Sequence, residues 1–367
     1  MPIDSRPSEA SERLSAAAAA LRAAVHLYRV MGTPLYASLC ALGASDADIV
    51  ALVSRAKEGA APMHLLSSVH YLLLQDPSDP LSRFFATLTP SPQPPEEAFP
   101  ELVRFCKAHR AEILQLLDTR MVQTTYVERC KTLMPLLSRV ADEACEPLNL
   151  VEIGCSAGVL LTFDKYAYEI ERGGRLGAAD APLTLPLAVV GGPPLRIPRI
   201  SARIGLDLHV LDTSSEYDRR WLLALSFPEH REQQAALATA LNVVARTPMR
   251  MIEGDALATL PAVLTESPDP VCVFHSACLM YWPSQAKAAL DELLVEASRS
   301  RRIYRVAMEP AERFASEQKG RTDGSEQAGQ GTRISGEAII TRYHDGVVDR
   351  IATARTAPHY GSVEWVE

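Results

Sequence analysis

The chain has 367 residues, of which 47% are hydrophobic; this is enough to bury a large core and predicts two domains. Its 37 basic and 45 acidic residues give a net charge of −8, which argues against a nucleic-acid groove and favours a small-molecule ligand. The seven cysteines show no C-x-x-C spacing, and no apolar run reaches membrane-spanning length. We therefore expect a cytoplasmic protein with no metal site and no nucleic-acid or membrane partner. Its oligomeric state stays open.

Residues 1–146 have apolar side chains at helical spacing, as in Leu133-Leu136-Leu137-Val140, and no strand alternation. We predict that they form a helical cap domain.

From residue 147 to 367 the pattern changes to apolar strands separated by helical segments, which predicts an α/β domain with a parallel sheet. Residues 183–197 are predicted to form an inserted hairpin. The Asp345-Gly346 pair predicts a C-terminal antiparallel hairpin at the sheet edge. The predicted strands are Leu148–Ile153, Ala202–Asp207, Met249–Glu253, Val271–Phe274, Ile303–Met308, Ala338–His344 and Val347–Ala354.

The first of these strands runs into Glu152, Gly154, Ser156 and Gly158, followed by a helical pattern. Small residues at such a turn let backbone amides approach a ligand, and the next helix offers its positive N-terminus. This predicts a nucleotide-binding turn. The same letters also spell the G-x-S-x-G nucleophile elbow of hydrolases. That alternative needs an acid and a histidine downstream, for which the candidates are Asp255, Asp269, His275, His344 and His359.

Polar residues follow the next strands of the predicted sheet: Asp207, Asp255, and His275 with Ser276. Because ligands bind beyond the carboxyl ends of parallel strands, we expect these side chains to converge. Asp207 lies much further after the glycines than the usual spacing of about 20 residues for a ribose-binding acid. The predicted insertion accounts for that distance.

Several separated blocks together resemble the bacterial proteins carrying the domain of unknown function 2332. Those proteins look like class I S-adenosylmethionine (SAM)-dependent methyltransferases, with a Rossmann-like sheet and an added N-terminal helical half. Two departures stand out: Thr125 and Tyr126 replace the usual Asn and Glu, and Cys155 and Val159 replace the usual Ala and Leu. The blocks are Gly32–Tyr36, Val122–Thr124, Val151–Gly158, Asp164–Tyr168, Arg203–Leu208, Gly254–Leu257, Phe274–Ala277 and Pro358–Gly361.

SAM presents an adenine, a ribose diol, a charged amino-acid tail and a sulfonium, and each needs a different partner. We expect Asp207 to accept the ribose hydroxyls, Asp255 the adenine amino group, and Glu152 the ammonium. Amides of residues 154–158 would reach the tail. The alternative for the aspartates is that they cap helices. Leu208 and Ala256, which follow the two aspartates, and Gln123 complete the predicted cofactor site.

The predicted catalytic residues are Tyr126, His275, Ser276 and Tyr281. His275 is either a base or a structural histidine, and Ser276 is placed to hold the reacting molecule. Tyr126 and Tyr281 are the aromatic candidates for facing the sulfonium, with core packing as the alternative. We also expect the helical half to close over the pocket through residues 123–129.

The resemblance implies methyl transfer from SAM to a small substrate. In a rival reaction SAM alone is the substrate: its amine attacks the γ-carbon, giving azetidine-2-carboxylate and methylthioadenosine. A catalytically inactive SAM-binding module and the hydrolase remain further alternatives.

Overall fold

The structure is a computed structural model that describes residues 9–56, 60–266, 270–310, 336–356 and 361–366. The chain divides into two compact units. The helical unit comprises Met1–Thr125 and Ser214–Ala238, and the sheet unit comprises Tyr126–Thr213 and Thr239–Glu367. The first boundary therefore falls at residue 125 rather than at the predicted 146, and a later segment joins the helical unit.

Some of the described α-helices, the third and the eighth among them, begin at a side-chain cap. Asp46, for example, accepts hydrogen bonds from the backbone N–H groups of Asp48 and Ile49 at the start of the third helix. The α-helices are α1 (Glu9–Val30), α2 (Pro34–Gly43), α3 (Ala47–Val53), α4 (Ala61–Gln75), α5 (Phe99–Ala108), α6 (Arg110–Thr119), α7 (Arg129–Ala144), α8 (Glu216–Ala224), α9 (Arg231–Val244), α10 (Ala256–Glu266) and α11 (Ser284–Ala297).

Within the helical unit, α4 and α8 are joined by His70, whose Nδ1 lies 3.1 Å from the carbonyl oxygen of Ala224. The rings of Tyr28, Tyr36 and Phe227 pack edge to face in its core. Among the described residues no single helix is long and apolar enough to cross a membrane; α2 and α3 pass that test only as a pair, and they are bent by 110°.

The sheet unit contains one sheet in the order β3-β2-β4-β11-β10-β9-β8-β7-β1-β5-β6, with mostly parallel pairs. Its strands are β1 (Leu148–Ile153), β2 (Ala167–Ile170), β3 (Gly174–Leu176), β4 (Thr184–Val190), β5 (Ile200–Asp207), β6 (Arg250–Glu253), β7 (Val271–Ser276), β8 (Ile303–Pro310), β9 (Gly336–His344), β10 (Val347–Thr356) and β11 (Ser362–Val366).

Five neighbouring strands, β6-β5-β1-β7-β8, are parallel. Numbered along the chain they have the order 3-2-1-4-5. In such a sheet the strand order reverses between the first and fourth strands, here β1 and β7, and the crevice beyond their carboxyl ends is the usual place for a ligand. Every residue of β1 and β7 is buried, as expected for central strands covered on both faces.

All seven predicted strands are confirmed, and so is the antiparallel β9–β10 hairpin, whose turn residues Asp345 and Gly346 have φ of 51° and 76°. Its predicted place at the sheet edge is wrong, because β11 pairs with β10 on the outer side and β4 pairs with β11. The hairpin predicted at 183–197 is also wrong. That segment contains one strand, β4, which pairs in parallel with β2 and β11.

Candidate functional site

The turn after β1 is the first element of the candidate site. Gly154, Ser156 and Gly158 have φ of 75°, 53° and 76°. A Cβ on Gly154 would lie 2.4 Å from Sγ of Cys278, and a Cβ on Gly158 would lie 2.8 Å from Sδ of Met249. Glycine is therefore required at both positions, by the backbone conformation and by the lack of space.

The amides of this turn mostly bind the protein itself. Gly154 and Cys155 donate to the carbonyl oxygen of Leu206 at 2.8 and 3.3 Å, and Gly158 donates to that of Cys155 at 2.7 Å. Ser156 donates to Oδ2 of Asp207 at 2.7 Å. Of the five amides from 154 to 158, only that of Ala157 has no partner among the described residues. The expected row of ligand-facing amides is thus reduced to one.

A short 3-10 helix, Leu160–Lys165, follows the turn, and the chain then enters β2. The helix expected after the turn is present, but it is a short 3-10 helix. A 3-10 helix of six residues aligns few peptide dipoles, so it adds little positive potential to the site.

Glu152 lies at the carboxyl end of β1, paired in register with Gly205 of β5 and Phe274 of β7. It is only 3% exposed, and its Oε2 has no hydrogen-bond partner among the described residues. Burial raises the pKa of Glu152 well above its usual range; the positive charge of Arg129 lowers this pKa, and the negative charge of Asp207 raises it further. The carboxylate is therefore buried without the donors that an ion of its kind requires.

Asp207 ends β5 and holds two loops. Its Oδ2 accepts from the Ser156 amide, and its Oδ1 accepts from the His209 amide at 2.9 Å. It therefore does not cap a helix. Asp255, by contrast, accepts from the Leu257 amide at 2.8 Å at the start of α10, which is the helix-capping geometry.

Arg129 is a site residue that the sequence did not single out. It is the first residue of α7, where the helix dipole disfavours a cation. Its Nη1 donates to the carbonyl oxygen of Ser276 at 3.2 Å, and its Cζ lies 5.5 Å from the centroid of the Tyr126 ring. The guanidinium is thus held between the end of β7 and an aromatic ring. A basic residue at the start of the helix that precedes β1 was the available signal.

His275 is fully engaged within the protein. Its Nε2 accepts from Nε of Arg305 at 3.0 Å, because a guanidinium can only donate. Its Nδ1 therefore carries the proton and donates to Oε1 of Glu309 at 2.7 Å. Burial lowers the pKa of His275, and the hydrogen bond to Glu309 opposes that change only in part. Of the two interpretations of His275, this geometry favours the structural one.

Glu309 near the end of β8 is a second residue that the sequence did not single out. Besides His275 it accepts from the amides of Cys278 and Leu279 at 3.2 Å each and of Met280 at 3.3 Å. Burial raises its pKa, but the hydrogen bond and charge of His275 and the backbone donors outweigh burial, so the pKa is lowered. Glu309 thus fixes the turn after β7. The strand-end rule that found Asp207 applies equally to β8.

Ser276 ends β7, and its Oγ is buried without a partner among the described residues, as is Oγ of Ser156. Tyr281 is 77% exposed, so the alternative that it packs in the core is wrong. Leu208 is 67% exposed, and Ala256 is buried within the core cluster of the sheet unit. Gln123 belongs to the helical unit and is half-buried.

The sheet unit therefore brings together Tyr126, Arg129, Glu152, the glycine turn with Ser156, Asp207 and Ser276. Asp255 and Ala256 serve α10 and the core instead. For the hydrolase alternative, Asp269 and His359 lie outside the described residues, and His344 lies on β9 beside Asp345.

The sequence from residue 18 to 365 matches the model of one protein family, described as "Uncharacterized protein conserved in bacteria (DUF2332)". The chain belongs to this family, since the match covers almost its whole length. No curated protein matches it.

Proposed function

We propose that this chain binds SAM at the carboxyl ends of β1, β5 and β7 and transfers its methyl group to a small molecule. Glu152 is the observation that carries the proposal. A buried carboxylate without hydrogen-bond donors is costly when ionised, and a cationic ligand group removes that cost. The α-ammonium of SAM is such a group.

The strand order supports the same place. β1 and β7 form the point at which the 3-2-1-4-5 order reverses, and the crevice beyond their carboxyl ends is the usual place for a ligand. Asp207 suits a ribose, because it ends β5 at this edge and a carboxylate oxygen that accepts one protein amide can accept more than one hydrogen bond. Ala157 supplies the one amide of the turn for the tail.

On the substrate side, Ser276 offers a buried hydroxyl, and the ring of Tyr126 already lies beside a cation. When bound, SAM supplies an electrophilic methyl group, and the task of the protein is to hold a nucleophile in line with it. His275 does not act as the base in this proposal, since both its ring nitrogens bind protein groups.

The hydrolase receives less support. Oγ of Ser156 has no hydrogen-bond partner among the described residues, whereas a nucleophile elbow needs a histidine within reach of that atom. His275 is committed to Glu309 and Arg305.

Calorimetry with SAM tests the binding site. We expect Glu152→Gln to bind SAM at least about tenfold more weakly than the parent, because charge-assisted contacts contribute about 1.5–3 kcal/mol. Glu171→Gln is the matched control, since Glu171 is an exposed glutamate in the same unit. A parent protein that fails to bind SAM, or a folded Glu152→Gln that binds it as tightly as the parent, contradicts the proposal.

Product analysis tests the reaction. With SAM alone we expect no methylthioadenosine, and with a panel of small amines, carboxylic acids and phenols we expect S-adenosylhomocysteine from at least one acceptor. If SAM alone gives methylthioadenosine, the reaction is cyclisation of SAM and the proposed methyl transfer is wrong. SAM binding with neither product leaves a binding module.

A further inference from the structure

We propose that Glu152 and Arg129 together form a receptor for an α-amino acid group, with Glu152 binding the ammonium and Arg129, supported by Ser276, binding the carboxylate. The group has two sources, the methionyl tail of SAM or a free α-amino acid that accepts the methyl group. Both sources rest on the proposed function, the first on SAM binding and the second on methyl transfer.

The sheet register places the two halves of this receptor side by side. Glu152 of β1 pairs with Phe274 of β7, and Ser276 is two residues further along β7. Side chains two residues apart share a face of a strand, so Glu152 and Ser276 lie on the same face of neighbouring strands. From the spacing between strands and the rise per residue, their Cα atoms are about 8 Å apart.

Arg129 is fixed at this place from two sides. Its Nη1 binds the Ser276 carbonyl at 3.2 Å, and its guanidinium lies against the Tyr126 ring. Here the Ser276 carbonyl already binds a cation, so the turn presents positive charge and favours an anionic partner.

Two buried polar groups point to a ligand independently of Arg129. Oε2 of Glu152 and Oγ of Ser276 are both buried without partners among the described residues, in side chains that are 3% and 5% exposed. An ammonium would donate to the first, and a carboxylate would accept from the second. One carboxylate, one guanidinium and one hydroxyl thus match the two charges of an α-amino acid.

Calorimetry with three related ligands tests the receptor. SAM carries both charges, decarboxylated SAM keeps the amine alone, and methylthioadenosine lacks both. We expect Arg129→Gln to bind SAM at least about tenfold more weakly than the parent and to bind decarboxylated SAM as tightly as the parent. Only SAM loses a charge-assisted contact in this variant. Glu152→Gln should bind both SAM and decarboxylated SAM more weakly than the parent. Neither variant should change the affinity for methylthioadenosine.

Arg129→Lys and Arg172→Gln complete the design. The lysine keeps the positive charge but lacks the planar guanidinium. The SAM affinity of Arg129→Lys should therefore lie between that of the parent and that of Arg129→Gln. Arg172 is exposed in the same unit and serves as the matched control, with melting temperatures recorded for all variants.

L-methionine, titrated with and without S-adenosylhomocysteine, distinguishes the sources. If Arg129→Gln leaves SAM unchanged but abolishes L-methionine binding, the acceptor is the amino acid. If the parent binds L-methionine through Arg129 and fails to bind SAM, the proposed function fails and the receptor stands. Equal weakening of SAM and decarboxylated SAM in Arg129→Gln, or no change in SAM and L-methionine, overturns the receptor.

Discussion

Two glutamates at the carboxyl edge of the sheet, Glu152 buried and Glu309 half-buried, illustrate opposite uses of a carboxylate. Glu309 of β8 accepts four hydrogen bonds, three of them from consecutive amides, and its pKa is lowered. Glu152 of β1 has no partner for Oε2 among the described residues, and burial raises its pKa well above the usual range.

The difference lies in what surrounds each strand end. The turn after β7 wraps around Glu309 and directs its amides at the carboxylate. The amides of the turn after β1 donate to Leu206, Cys155 and Asp207, and none of them donates to Glu152. A satisfied carboxylate holds the scaffold, whereas an unsatisfied one is available to a ligand.

The largest effect should follow from Glu309→Gln. The change removes the charge from four hydrogen bonds and turns an amide NH₂ toward donors, so the free energy of unfolding should fall by about 3 kcal/mol at pH 7. Because the folded pKa of Glu309 is lowered, its contribution is present above the unfolded pKa and is lost as pH falls through the folded pKa. Urea unfolding at pH 7 and at acid pH measures both.

Glu337→Gln is the control for that experiment, since Glu337 is exposed and lies directly opposite Glu309 on β9. A loss of equal size in both variants would show that Glu309 is not the clamp of the turn.

Gly154→Ala should lower the free energy of unfolding by a smaller amount, about 2 kcal/mol in addition to the cost of backbone strain. The new Cβ would meet Sγ of Cys278 at 2.4 Å, so the two turns cannot stay packed as they are. Gly174→Ala isolates the strain, because Gly174 has a similar φ of 78° and nothing within 4 Å of its Cβ position. Melting curves of both variants and of Gly154→Ala/Cys278→Ala, which should recover the packing part, decide the matter. Equal losses in the two single variants contradict the close contact.

Glu152→Gln should have the smallest effect on the free energy of unfolding, and it should raise this free energy where the two variants above lower it. The folded pKa of Glu152 is raised, so its contribution is fully present below the unfolded pKa and is lost as pH rises through the folded pKa. Relative to the parent, the ligand-free variant should therefore become more stable as pH rises, by about 1–2 kcal/mol. Chemical unfolding at several pH values, with Glu171→Gln beside it, measures the trend. A pH-independent difference would place Glu152 in contact with a partner that satisfies it.

The same raised pKa predicts how binding responds to pH, because a bound cation favours the ionised form of Glu152. SAM should bind more tightly as pH rises and should release a proton on binding. This dependence should be absent from Glu152→Gln.

Sequence patterns predicted the strands and turns that are set by residues adjacent along the chain. β1, β5, β6, β7 and β8 follow from their apolar runs, and the Asp345-Gly346 turn follows from two residues that tolerate positive φ. The position of that hairpin within the sheet was not predictable in this way. It depends on β11 and β4, whose partners are far away along the chain.

The same limit applies to the candidate site. Glu152, the glycines and Asp207 were found because a strand end and its following turn are adjacent in sequence. Arg129 was missed because its partner Ser276 is 147 positions away, and Glu309 because its role depends on a turn 29 to 31 positions earlier.

The sequence by itself determined seven of the eleven described strands, the glycine turn and the carboxyl edge at which polar side chains gather. Backbone preference and burial periodicity act over a few residues, so they can be read locally. Only the tertiary structure decided which carboxylate is satisfied. That depends on whether Glu309 receives the amides of Cys278–Met280, on whether His275 keeps a nitrogen for a ligand, and on where the charge of Arg129 comes to lie. Hydrogen bonds and charges act between atoms that strand order brings together, and no local pattern specifies that order.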